Sequence, residues 1–338
     1  MALSVLKFGG GCLHSVDTIK KLPHILRTLK EESVNKESHF SLVLSAFGKT
    51  TNMLEQKQYK KFIDFIFLIM KNLDFENIEI SEVLGHYFPL LSFNSGKLAG
   101  YHFDHHSPLY NSYSRRVAIG EYVACDIIHR YLIREKINNS LFDSTLCIWT
   151  EAMCGEKNSA KFHSTSVPPF YKEILNFKSS NAGFSQSEVR ITPGFIANDI
   201  AFKSELFFDM ITDPPEEKYN WPPIHIQRHF QQTTSSRCCC TTLGREGSDY
   251  TAAIIAKMLK ANEVVLFKDV NGVYDQDPKK HSTASIFKKL SYTDAFKICN
   301  KTQTVIHPKT LLHLKSTIIP IRIRNFHDLT ASGTIITH

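Results

Sequence analysis

The chain lacks the cysteine spacing of a metal finger. Eight cysteines occur among 338 residues, yet they form no pair of CxxC motifs and no Cys/His finger pattern. Cys238, Cys239 and Cys240 are consecutive. Adjacent strand residues point to opposite faces, so three in a row do not converge on one ion. The run reads instead as a small-residue buried strand, and thiols without a disulfide framework fit a reducing cytosol. His102, Asp104, His105 and His106 lack HExxH or paired His/Cys spacing, and no protein-bound metal site is expected. No apolar run reaches the roughly 18 residues of a membrane helix. Phe62 to Met70 reads as a short helical core run, and MALSVLKFGGG is too soon interrupted for a signal peptide. A soluble, cytoplasmic protein without a membrane partner is expected. Sustained Lys/Arg runs are also missing. The net charge of +7 is scattered, which gives no nucleic-acid footprint. A mild positive field suits an anionic small substrate and a nucleotide.

Neither GxxxxGK[ST] nor GxGxxG is present. What is present is a first strand, residues 3–8 (LSVLKF), running into Gly9, Gly10 and Gly11. Glycines after a strand let backbone approach a phosphate closely. Val16 to Leu29 reads as a helix and Phe40 to Ser45 as the second strand, ending in SAFGKTTN. A Ser/Thr/Gly cluster there is commonly a helix cap. Residues 53–115 read as helical and then irregular. Glu121 leads a helix with Val123, Ile127 and Tyr131 on one face. Strands are expected within 140–153 (TLCIWT) and 189–197 (VRITPGFIA).

Residues 241–279 organise the rest. Thr241 to Gly247 is a polar, glycine-punctuated turn. A helix follows, with Tyr250, Ile254, Met258 and Leu259 on one side and Ser248 or Asp249 as its cap. Glu263 to Phe267 (EVVLF) is a short buried strand, and KDVNGVYDQDP carries Asn-Gly and Asp-Pro turn signals. Loops beyond the carboxyl ends of strands are where open α/β sheets bind ligands, and a helix N-terminus suits an anion. Ser291 to Asn300 is a further helix and IIPIRIRNF the last strand.

TTLGREGSDYTAA followed by DVNGVYDQDP resembles the aspartokinases of the amino-acid kinase family, whose usual wording is TTLGRGGSDYTAA and DVDGVYTADPR. KFGG at residues 7–10 resembles the opening KFGGTSV. SAFGKTTN resembles VVSAMGKTTNxL, Gly120-Glu121 the S-x-G-E segment, VRITPGFIA the V-x-x-GFIG, and Val305-Ile306-His307-Pro308 the end of FGAKVLHP. The resemblance implies an α/β fold, a three-layer αβα sandwich on a mainly parallel sheet. It also implies an amino-acid lobe over 1–195 and a nucleotide lobe over 196–338. The stretch 199–237, with Pro214-Pro215 and Trp221-Pro222-Pro223, is longer than the family pattern needs and reads as an insertion. The ACT domains that commonly follow are absent from the sequence, so lysine or threonine inhibition is not expected, and a homodimer is.

The implied activity is ATP-dependent phosphorylation of the side-chain carboxylate of L-aspartate. By resemblance Lys7 neutralises the transferred phosphate, aided by the Gly9 and Gly10 amides, and Asp249 aligns that lysine. Arg245 clamps the substrate α-carboxylate, while Ser45, Thr51, Glu121 and Ser248 complete the amino-acid pocket. Asp269, Tyr274, Asp277 and Pro278 line the ATP site, and Mg²⁺ is held largely by phosphates and water. Several residues depart from the pattern. Gly11 and Cys12 replace hydroxyl residues, Glu246 replaces a glycine, and Lys268 replaces threonine or serine. Lys279 replaces arginine and Thr304 a lysine. Either the nucleotide pocket is rebuilt, with Lys268 or Lys279 compensating, or catalysis is weakened. Kinases of another amino acid or specialised-metabolite carboxylate, and a catalytically impaired binding protein, are the alternatives.

Overall fold

The computed structural model describes residues 2–33, 38–88, 91–94, 97–101, 113–151, 161–165, 188–200, 240–244, 246–278, 280–301 and 305–338. The candidates Arg245, Lys279 and Thr304, the 102–106 histidine run and nearly all of 199–237 lie outside these residues.

The first strand, β1 (Ala2–Phe8), occupies the middle of the molecule. Its alternate side chains feed two separate cores. Leu6 and Phe8 point into one apolar cluster, Val5 into the other. A strand buried on both faces needs apolar residues in both registers, which the near-continuous ALSVLKF supplies. β1 pairs in parallel with β2 (Ser38–Leu44) on one side and with β11 (Glu263–Lys268) on the other. Together with β5 (Asn139–Leu141), β8 (Val189–Pro193), β12 (Lys289–Ser291), β13 (Ile321–Asn325) and β14 (Thr334–Thr337) they form an eight-stranded sheet ordered β12-β14-β13-β11-β1-β2-β8-β5. All neighbours are parallel except β13 and β14. IIPIRIRNF is therefore not the final strand. Thr334–Thr337 inserts between β13 and β12, too short for its pattern to stand out in sequence.

On the Leu6 face pack α1 (Val16–Ile19), α2 (Leu22–Glu32), α3 (Thr50–Glu55), α4 (Tyr59–Asn72), α5 (Asn77–Tyr87) and α6 (Tyr113–Arg134). The opposite face carries α7 (Gly247–Leu259), α8 (Tyr292–Lys301) and α9 (Pro308–Leu314). Helices on both faces of a mainly parallel sheet make three layers. The helix expected over 16–29 is broken in two. Ser15 caps a single turn, and the chain restarts at Leu22-Pro23, where proline suits a first helical position. Residues 140–153 are likewise split, into β5, a 3₁₀ turn (Ser144–Leu146) and β6 (Ile148–Glu151). β6 joins β7 (Lys161–Thr165), β9 (Ile196–Asp199) and β10 (Cys240–Thr242) in a second sheet ordered β10-β9-β6-β7. β3 (Leu91–Asn94) and β4 (Lys97–Tyr101) form a hairpin.

Helix α6 starts at Tyr113, so Glu121 lies in its interior and does not lead it. Residues 114–129 of that helix are buried all round, which marks an element enclosed by other layers. Polar side chains on it are therefore inside the protein by construction.

Candidate active site

The carboxyl ends of β1, β2, β8 and β11 and the first turn of α7 converge at one edge of the sheet. Two loops meet there closely. A Cβ on Gly10 would lie 2.7 Å from the Gly48 carbonyl oxygen, and Gly48 itself has φ +52°, in the left-handed region. Only residues without a side chain let the β1–α1 and β2–α3 turns touch this way. Gly9 and Gly10 are half-buried, and the Gly9 carbonyl accepts from the Cys12 amide at 2.9 Å. Cys12 is turned into the core, its Sγ donating to the Phe267 carbonyl at 3.3 Å. Burial pushes its thiol up to about 11, so it offers neither a hydroxyl-like contact nor a thiolate to the edge.

Ionic contacts dominate the centre. Lys7 Nζ lies 2.8 Å from Asp249 Oδ1, and Lys268 Nζ lies 2.8 Å from Asp249 Oδ2. The Asp249 side chain is 0 % exposed, that of Lys7 7 % and that of Lys268 18 %. Burial alone would raise the Asp249 pKa. Lys268 and Lys7 outweigh it and hold the carboxylate well below its usual range. For Lys268 burial is likewise opposed by Asp249, and its ammonium is stabilised. Lys7, the more enclosed of the two cations, is shifted down by burial against the pull of Asp249.

The cap expected at Ser248 or Asp249 is not formed. Glu246, exposed and in the left-handed region at φ 60°, is the N-cap of α7 and makes no side-chain cap bond. The chain enters the helix ahead of both residues, which leaves Ser248 and Asp249 inside its first turn with their side chains directed at the sheet. Ser45 Oγ donates to Ser248 Oγ at 2.8 Å, tying the end of β2 to α7. Thr51 is half-buried in the first turn of α3, beside Thr50, whose hydroxyl donates to the Phe47 carbonyl at 2.6 Å.

Glu121 approaches the same centre from below. It is buried, its Oε2 has no hydrogen-bond partner among the described residues, and its carboxylate accepts from the Ala46 backbone. Burial raises its pKa to about 8, against the opposing effects of the Ala46 amide and Lys7. The consequence for stability has a definite sign. Between the ordinary glutamate value of about 4.3 and about 8 the folded state holds a proton that the unfolded state has released. Stability therefore falls as pH rises through that window. Relative to the wild type, Glu121→Gln is expected to lose this dependence and so to gain about 2 to 3 kcal/mol of stability between pH 6 and pH 8.5. Urea unfolding at the two pH values measures it; equal slopes for both proteins would reject a protonated native Glu121.

Beside the ionic cluster opens a cleft of about 620 Å³, lined among others by Glu246, Lys268, Asp269, Tyr274, Asp277 and Pro278. One wall is pinned by polar contacts. The Val273 amide donates to Thr334 Oγ1 at 2.9 Å, and Asn325 Nδ2 donates to Asn271 Oδ1 at 2.6 Å. Asp269, Tyr274, Asp277 and Pro278, expected along the ATP site, line one opening, whereas Gly9 and Gly10, also expected at the nucleotide, are not among its lining residues; Lys268 joins this cleft to Lys7. Among the described residues no three His, Cys, Asp or Glu side chains converge as a metal cage. No helix among them is long and apolar enough to cross a membrane.

Residues 226–325 match the amino acid kinase family. Over 96 residues the chain is 46% identical to a bifunctional aspartokinase/homoserine dehydrogenase of Daucus carota, covering 28% of this chain and 10% of that protein. Over another 96-residue alignment it is 38% identical to the lysine-sensitive aspartokinase 3 of Escherichia coli, covering 28% and 21%. The three-dimensional likeness extends much further. The crystal structure of E. coli aspartokinase III in complex with aspartate and ADP superposes with a TM-score of 0.68 at 22% identity, covering 99% of this chain and 64% of that one. The chain shares the fold of that aspartokinase, and the family match lies within residues 226–325. An aspartate kinase from Clostridium acetobutylicum matches with a TM-score of 0.58 at 19% identity, over 100% of this chain and 62% of the other. The chain aligns in sequence with only about a tenth of the carrot protein's length.

Within this fold, Lys7, Asp249, Ser45, Ser248 and Glu121 come together, with Thr51 in the adjoining turn. Asp269, Tyr274, Asp277 and Pro278 gather in the neighbouring cleft. The role of Lys268 as the second partner of Asp249 is not readable from local sequence. Its signal is a register match between strands 259 positions apart, since Ser4 pairs with Glu263.

Proposed function

We propose that the protein is an aspartate kinase, transferring the γ-phosphoryl group of ATP to the side-chain carboxylate of L-aspartate. The observation that carries the reading is the Lys7–Asp249 ion pair at the junction of a buried polar pocket and an open cleft. In this proposal residues 1–195 supply most of the amino-acid pocket, completed by Arg245 and Ser248, and residues 196–338 supply the nucleotide cleft.

A carboxylate is already ionised near neutral pH, so the reaction needs no general base. It needs two anions brought together and the developing charge dispersed, by positioning and by fixed cations. Lys7 faces the phosphoryl group in flight, with its ammonium aligned by Asp249. Ser45, Ser248 and Thr51 hold the amino acid, and Glu121 receives its ammonium. Arg245 pairs with the α-carboxylate in a two-pronged contact that guanidinium geometry suits. Asp269, Tyr274, Asp277 and Pro278 enclose the nucleotide, which enters as its Mg²⁺ complex. The relatives named as aspartokinases, and the bound aspartate and ADP in the E. coli enzyme's crystal, support this substrate pair.

The test is acyl phosphate formation trapped with hydroxylamine, in the presence of ATP and Mg²⁺, across aspartate, glutamate and their analogues. Signal with aspartate well above the others is expected; a preference for another acid, or no signal at all, would reject the assignment. Gly194 gives a second handle. A Cβ there would meet Ser248 Cβ at 2.6 Å and the Leu44 carbonyl at 3.0 Å, both of them fixed elements. Gly194→Ala is expected to cost about 1 to 3 kcal/mol by overpacking. Because Ser248 must move off Ser45, the KM for the amino acid should rise several-fold with the KM for ATP little changed. Equal changes in the two constants would count against Ser248 as part of the amino-acid pocket.

A further inference from the structure

Lys268 is the last residue of β11, and its placement follows from the sheet. Lys7 stands opposite Leu266 in the β1–β11 register, so Lys268, two positions beyond Leu266, projects to the same face as Lys7. Both strands run parallel and end at the same edge. The first turn of α7 lies over that face and places Asp249 between the two ammonium groups, one carboxylate oxygen to each.

The charges within this group do not cancel. Two ammonium groups share one carboxylate, which leaves a positive charge over. Glu246 stands exposed at the lip of the cleft and exerts its pull on Lys268 from there. The three side chains also differ in reach. Asp249 is sealed and Lys7 nearly so, whereas Lys268 lines the open cleft together with Asp269, Tyr274 and Asp277. An ammonium has three N–H donors, and the contact of Lys268 with Asp249 uses one. Lys7 alone already pairs with Asp249, so a second lysine serving only to neutralise it would be redundant. A second cation is useful where an additional anion must sit.

We propose that Lys268 is a phosphate-binding residue of this site: its ammonium, aligned by Asp249 on the floor of the cleft, contacts the phosphate chain of the bound nucleotide alongside Lys7. The inference rests on the proposed kinase reading and adds a residue to it. Lys7 and Lys268 then act as two fixed cations along one polyphosphate, with a single buried carboxylate setting their spacing.

Lys268→Met and Lys268→Arg are the informative variants, compared with the wild type by calorimetric titration with Mg²⁺-ATP and by acyl phosphate kinetics. Lys268→Met is expected to weaken ATP binding about tenfold and to raise the KM for ATP, while the KM for the amino acid stays within twofold. Lys268→Arg should recover most of the affinity. ATP affinity and KM within twofold of wild type in a folded Lys268→Met protein would overturn the proposal. A second measurement needs no variant. Acetylation of accessible amines in the wild type, read by mass spectrometry, should be suppressed at Lys268 by Mg²⁺-ATP, and equal modification with and without nucleotide would overturn the proposal even if Lys268→Met does not fold. The two readings fail separately. A wild type that binds ATP but phosphorylates no acid removes the kinase assignment and leaves Lys268 testable by binding. A wild type that phosphorylates aspartate with Lys268 indifferent removes only this inference, and one that binds no ATP removes both.

Discussion

Lys7→Ala is expected to lower acyl phosphate formation by at least about a thousandfold, the loss typical of removing a cation or donor that faces charge developing in a transition state. The size of the effect follows from where Lys7 sits. Its side chain is 7 % exposed, so water does not reach the site readily enough to take over the missing charge. Lys7→Arg is expected to recover little. A Cβ placed on Gly9, two residues along, would already lie 2.8 Å from Lys7 Nζ, and a guanidinium fork is wider than an ammonium. Thermal unfolding should show both variants folded, since Asp249 keeps Lys268 as a partner. A folded Lys7→Ala enzyme retaining more than a tenth of wild-type turnover would show that the phosphoryl group passes elsewhere.

The second large effect is on stability. Asp249→Asn keeps the shape of the side chain but leaves Lys7 and Lys268 facing each other without a counter-charge. Removing one partner of a buried ionic group costs about 3 to 5 kcal/mol. The sign with pH is fixed by the depressed pKa of Asp249. The carboxylate contributes its stability fully above the unfolded-state value of about 3.9, and this is lost as pH falls below it towards the folded-state value. Wild type and variant should therefore differ most at neutral pH and converge in acid. Guanidinium unfolding at pH 7 and pH 3.5 measures the difference. A neutral-pH gap under about 1 kcal/mol would mean that Lys7 and Lys268 are not held together by this carboxylate.

Much of this centre is legible in the sequence because its pieces are short and contiguous. Lys7 sits at the end of an apolar strand before glycines, and Ser248-Asp249 sits at the start of a helix. The strand β11 is visible as EVVLF for the same reason. What local pattern does not supply is pairing across the chain. That Lys268 shares Asp249 with Lys7 depends on β1 and β11 lying side by side in a particular register. The displaced cap has a related cause. Ser248 and Asp249 have side chains that cap helices well, but here Ser45, Lys7 and Lys268 compete for them and win. The start of α6 is hidden because arginines are mostly exposed in proteins, whereas Arg115 and Arg116 are buried here; Arg116 Nε donates to the Leu54 carbonyl at 2.9 Å. Thr334–Thr337 escapes notice because four residues carry too little alternation to announce a strand.

The central position of β1 bears on how the protein is made. Its neighbour β11 ends at Lys268, 260 residues after Phe8. At ribosomal rates of about 5 to 20 residues per second, roughly 13 to 50 seconds separate the synthesis of these two strand ends. Throughout that interval one side of β1 has unpaired amides and carbonyls and an apolar face still waiting for α7. Such an edge is a template for pairing with another chain. Translation pauses before residue 263 should therefore increase aggregation of the nascent chain, whereas pauses after residue 268 should be tolerated, and chaperone demand should peak in the first window.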